Sequence, residues 1–276
     1  MTLQERNTMF RAGIILCSLS AAFICAASII IIKIYSSLDA EIFRRPAGLF
    51  QNLAGGFFKP NLYAVHTSIA VLALYSLITI IFILHHFEKT QTPEIPFFAF
   101  FVLSLAFESV RLIMPLQHVF NIPSFYLLLA SRILLFSRNF GLFSLFAASI
   151  YAAGMESQRQ RNVIFIITVA SLVIALGTPV DTFTWSSNFE PVSGYDSIFK
   201  ILNAGVFLLT IAGFLIAAHA QRSRDYLFIS LGVFLVLTGR NILLSADTWL
   251  SLPGIALLGA GTWFICIYLH KVYLWL

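Results

Sequence analysis

Charge is what this chain has least of. Only 11% of its 276 residues are Asp, Glu, Lys or Arg, where soluble domains average about 25%. Apolar residues make up 59% of it. No polar block is long enough to fold as a soluble domain, so residues 1–276 are read as a single integral membrane domain. Cysteine is scarce as well. Cys17, Cys25 and Cys266 all fall inside apolar runs, with no metal spacing and no loop partner. That excludes a disulfide framework and leaves them as small buried hydrophobes.

The chemistry-bearing motifs are missing too. There is no Gly-rich phosphate loop, no HExxH, no GxSxG, and no pair of Asp or Glu inside an apolar run. A covalent reaction therefore has no visible machinery, and a non-enzymatic role is the better expectation. The net charge is +5, but the basic residues are scattered between apolar runs. They form no patch, so nucleic acid is not an expected partner.

What is present is a series of long apolar runs. They predict an all-α, polytopic bundle of eight helices, at 12–35, 63–86, 97–116, 125–153, 162–180, 198–220, 226–245 and 254–274. A span needs about 20 apolar residues to cross a core of about 30 Å. The first run is longer than a signal-peptide core and is read as a retained helix. Residues 36–61 mix charge, aromatics, Gly55-Gly56 and two prolines, which suits an interfacial, re-entrant or ordinary loop segment.

Basic residues set the expected orientation. Cytoplasmic termini put Arg6, Arg11, Lys89, Arg159, Arg161, Arg222, Arg224 and Lys271 inside, and leave Lys33, Arg44, Arg45, Lys59 and Lys200 near the outer face. The plasma (inner) membrane is the expected location. Arg111 in the third run and Arg240 in the seventh lie at matching depth. That match points to a parallel 4+4 repeat of halves 1–153 and 162–276.

The functional signal is charge at depth. Glu108 and Arg111 interrupt PFFAFFVLSLAFESVRLIMPLQH, and Arg132 and Arg138, with Asn139, interrupt the next run. Arg240 with Asn241 does the same in the seventh. Ser104, Glu108, Arg111, Pro115 and His118 share one helical face. Glu108 and Arg111 are three apart and can pair. By helical rise Arg132 lies roughly 10 Å from the outer end, within reach of snorkelling, and Arg138 roughly 20 Å deep. One carboxylate cannot neutralise four guanidiniums, and a forked anion is the simplest remedy. The expected ligand-binding set is therefore Arg111, Arg132, Arg138 and Arg240, with Glu108 tuning Arg111 and Asn139 and Asn241 orienting the ligand.

Histidines raise a competing idea, haem held between helices through pairs drawn from His66, His118, His85, His86, His219 and His270. No pair has diagnostic spacing, and interfacial histidines also serve as plain polar terminators, so no cofactor is expected. Two functional classes follow. The first is transport or binding of an anionic small molecule or lipid headgroup. The second is a membrane signalling or scaffold subunit acting through a partner membrane protein. Membrane lipids are partners in either case.

Overall fold

The computed structural model describes residues 3–42, 61–88, 92–245, 249 and 251–274. Eight helical stretches among them are long and apolar enough to cross a membrane, so the chain is a multi-pass membrane protein with an all-α core. α1 (Leu3–Ile42) starts earlier and runs further than the expected 12–35, because no proline interrupts it. Residues 36–42 thus continue the first helix; the remainder of the 36–61 segment, through 60, lies outside the described residues. α2 (Leu62–Phe87) opens on Asn61, whose side chain accepts from the Tyr63 backbone N–H at 2.9 Å, satisfying a donor that the first turn leaves free.

The third span is not one helix. α3 (Glu94–Ala106) passes into a 3₁₀ segment (Phe107–Leu112) and then α4 (Ile113–Phe120). Pro115 supplies a reason. It has no N–H to give to the Arg111 carbonyl, and its ring crowds that same turn, so the backbone before it winds tighter. Asn121, at φ 45, and Pro123 end the stretch. α5 (Ser124–Ala152) returns through the bundle and Gly154, at φ 111, closes it. α6 (Gln160–Gly177), α7 (Asp196–Ala220), α8 (Asp225–Ser245) and α9 (Ser251–Leu274) complete the spans.

α3 and its 3₁₀ continuation form the most enclosed span, whereas α1, α6 and α7 present most of their surface outward. α5 is the hub, packed on α3, α6 and α7. α8 and α9 approach very closely through glycines: a Cβ at Gly232 would lie 2.9 Å from the Gly261 carbonyl oxygen, and one at Gly239 2.7 Å from that of Gly254. Such small-residue contacts are how helices associate where lipid removes the hydrophobic drive. Cys17 and Cys266 are buried as expected, but Cys25 faces outward; a small apolar thiol is tolerated against lipid.

One boundary needs correction. Helix α6 stops at Gly177 before Pro179, three residues short of the expected 180, and the chain then forms an antiparallel hairpin, β1 (Val180–Trp185) and β2 (Pro191–Ser193). The helical period carried no warning of strands in a connection. The packing also lends no support to the repeat. α1 lies against α2 and α3, while its supposed counterpart α6 packs chiefly on α5. Arg111 sits in 3₁₀ backbone and Arg240 in unbroken α-helix.

Candidate functional site

The 3₁₀ segment decides where the acid goes. At about three residues per turn, side chains three apart eclipse, so Glu108 and Arg111 point to the same side. Both are only 1% exposed, and Arg111 Nη1 lies 3.5 Å from Glu108 Oε2. The stronger partner is Arg138 on α5, whose Nε and Nη2 donate to Glu108 Oε1 and Oε2 at 2.7 and 2.8 Å. This fork is the geometry a guanidinium offers a carboxylate best. Gly141 makes it reachable: a Cβ there would fall 2.9 Å from Ser104 Cβ, so α3 and α5 approach closely beside the pair.

A second carboxylate arrives from outside the helices. The turn between β1 and β2 folds inward at the end of the bundle shared with residues 121–123. Its Glu190 forms an ion pair with Arg138 Nη2. The Asn188 carbonyl accepts from Arg111 Nη2, and the Asn188 side-chain amide donates to the Leu244 carbonyl on α8 at 3.2 Å. Phe189 is fully buried in an apolar cluster that includes Leu62, Val65, Leu112 and Leu127. Burial works to raise the Glu190 carboxyl, but Arg138 and then Arg111 outweigh it and hold the group below the usual carboxylate range. Glu190 is therefore ionised at neutral pH.

Arg240 reaches the same cluster from α8. Its Nη2 donates to the Arg138 carbonyl at 3.3 Å and its Nη1 to Asn241 Oδ1 at 3.5 Å, while among the described residues Nε has no hydrogen-bond acceptor. Arg111 likewise has no hydrogen-bond acceptor for Nε or Nη1. Among the described residues, two buried guanidiniums and the partly exposed one of Arg138 thus meet two carboxylates, leaving one positive charge over and several N–H groups without acceptors. Buried donors of this kind are costly until an acceptor satisfies them.

The expected set is therefore brought together only in part. Arg111, Arg138 and Arg240 converge with Glu108, whose main partner is Arg138 rather than Arg111. Arg132 does not join them. Its guanidinium donates to the carbonyls of Ala175, at 2.5 Å, and Thr178 at the end of α6, a cation on the negative pole of a helix. Asn139 is spent on its own helix, donating to the Leu135 carbonyl at 2.8 Å, and Asn241 is exposed.

Arg6 shows that a second arginine does the same capping work. Its Nη2 donates to the Phe87 and Glu88 carbonyls at 2.8 and 2.6 Å, where α2 ends. Sequence reasoning missed that role and missed Asn188, Phe189 and Glu190. The surplus of positive charge in the spans was the available sign that a carboxylate had to come from a loop.

Three of the six histidines have ordinary contacts. His66 Nε2 lies 2.6 Å from Ser28 Oγ, His86 Nδ1 lies 3.2 Å from the Phe82 carbonyl, and His270 packs edge-on against Phe87. The His118 side chain lies outside the described residues. Among the described residues no three His, Cys, Asp or Glu side chains gather as metal ligands would.

Comparison with known proteins shows a partial similarity. An "Uncharacterized protein" of Treponema pallidum (strain Nichols) is 26% identical over 140 residues, 51% of this chain. That match spans 41% of the relative's own length. No family model matches the chain, and no solved structure matches it.

Proposed function

We propose that the protein binds and transports an anionic small molecule or lipid headgroup, without covalent chemistry, at the cluster of Arg111, Arg138 and Arg240. The observation that carries this reading is the surplus of guanidinium among the described residues: three cations against two carboxylates, with the buried Nε atoms of Arg111 and Arg240 lacking acceptors there. Glu108 and Glu190 hold the fork in place, and an anion gains from whatever positive charge they leave.

Arg240 offers the cleanest test. It makes only a long bond to a backbone carbonyl and one to its neighbour Asn241, so its removal cancels the surplus charge without orphaning a carboxylate. Arg240→Ala should weaken anion binding, or slow anion flux into vesicles, by about tenfold or more. Arg132→Ala, which removes a helix cap instead, should leave both within about twofold at matched folded protein. Equal responses in the two variants would sink the reading.

The protein resides in the plasma membrane with both termini in the cytoplasm, on this proposal, because the basic loops gather at that end. Exposed Gln158 and Arg224 lie there, and exposed Tyr195 lies at the opposite end beside the hairpin. Cysteines at 158 and 224 should react with an impermeant reagent only from the cytoplasm, and one at 195 only from outside. The reverse pattern would invert the topology.

A further inference from the structure

The hairpin tip treats the arginine site as a ligand would. Glu190 presents a carboxylate to Arg138 Nη2, the nitrogen that also serves Glu108, and the Asn188 carbonyl occupies Arg111 Nη2. Between them Phe189 places its ring, 0% exposed, among apolar side chains from the first four spans. The tip is therefore a carboxylate beside a benzyl group, inserted from one end of the bundle.

It also has the marks of a movable part. Glu190 is 25% exposed where Glu108 is 1%. Phe189 sits at φ 60, a left-handed conformation that a bulky residue adopts only when its surroundings hold it there. The turn is closed by two backbone bonds, Ser186 N–H to the Glu190 carbonyl at 2.8 Å and Phe189 N–H to that of Ser186 at 3.1 Å. Both bonds lie within the turn, so a displacement of the tip need not break them.

Resting on the reading of this cluster as an anion site, we propose that Phe189–Glu190 is a built-in stand-in for the ligand. The true ligand is a monocarboxylate on an apolar body, which enters when the hairpin withdraws. Charge and shape both select this class. With the tip withdrawn, Arg138 Nη2 and Arg111 Nη2 each regain a donor, one for each oxygen of a carboxylate, beside the three nitrogens of Arg111 and Arg240 that already lack acceptors among the described residues. The pocket vacated by Phe189 is apolar, so an aromatic or alkyl body fills it, whereas inorganic phosphate leaves it wet. A free aryl acid and a fatty acid drawn from the bilayer share this chemistry.

The hairpin then acts as a competitor tethered at the entrance. A site open for only a fraction of the time loses affinity by that fraction. Removing the tip's charge should return it.

The test uses the full chain in lipid nanodiscs, with 3-phenylpropionate, oleate and inorganic phosphate as probes of equilibrium binding. Glu190→Gln should bind 3-phenylpropionate or oleate about tenfold more tightly than the unaltered protein, with phosphate changed far less. The probe that gains more identifies the source as free acid or lipid. Hydrogen exchange of residues 186–193 in the unaltered protein should rise when that probe is added, a readout that survives even if the variant folds poorly. If Glu190→Gln binds phosphate as well as or better than either carboxylate, or the hairpin stays protected at saturating probe, the stand-in proposal falls while the anion site stands. If neither protein binds any of the three, the anion reading itself is wrong, and this proposal goes with it.

Discussion

The Glu108→Gln protein should lose about 3–5 kcal/mol of stability, the usual consequence of breaking a buried ion pair from one side. The carboxylate is almost wholly enclosed, takes a forked pair of bonds from Arg138, and faces Arg111. Glutamine of the same shape offers one acceptor oxygen and turns an amide NH₂ toward a guanidinium. Arg111 and Arg138 would then share Glu190 alone, and Glu190 is held by a hairpin rather than a span. Were the arginines to line a hydrated pocket, the opposite would be expected, a folded variant with tighter anion binding. The enclosed fork is what reverses the expectation. Thermal unfolding in detergent checks it, and a melting temperature within error of the unaltered protein would show that Glu108 holds nothing together.

Arg138 should matter at least as much, because it is where the two carboxylates meet. Arg138→Met leaves Glu108 and Glu190 facing one another's charge with only Arg111 and the more distant Arg240 to offset it. A loss of about 3–5 kcal/mol or more is expected, together with release of the hairpin tip. Arg138→Lys should not restore stability: an ammonium is a point donor and cannot span both Glu108 oxygens while reaching Glu190. The double variant Arg138→Met with Glu108→Gln should be less damaged than the sum of its parts, by about 0.5–3 kcal/mol, because removing both partners strands fewer charges. Unfolding of the four proteins measures the difference. Strict additivity would mean that the two side chains touch without depending on each other.

Composition and apolar run length by themselves determined the class and most of the architecture. Eight runs with hardly a charge among them have few options but to cross a bilayer as helices, because backbone polar groups in hydrocarbon must be satisfied within the segment. Glycine marked an end, as Gly154 does for α5, whereas Pro179 lay inside the expected run at 162–180 and follows the actual end of α6. The depth of Glu108, Arg111, Arg138 and Arg240 was likewise legible, since counting residues along a helix is counting ångströms. That charge at depth needs a partner was legible too.

Which partner each charge takes was not, because pairing across helices depends on rotation and contact, and sequence periodicity says only that a face is turned inward. Arg132 and Arg138 look alike in the sequence, six residues apart on one helix. Packing sends the first to the carbonyls that end α6 and the second to Glu108. Pro115 hinted at irregular backbone, but the extent of the tighter winding, Phe107–Leu112, and the close approach of Gly141 to Ser104 beside it are seen only in the fold. Glu190 was least legible of all. It lies some 80 residues along the chain from Glu108 (positions 190 and 108), in a connection whose polar composition reads as water-facing. Only the tertiary fold turns that connection inward, where burial of Phe189 and the attraction of two guanidiniums together outweigh the cost of taking a carboxylate out of water.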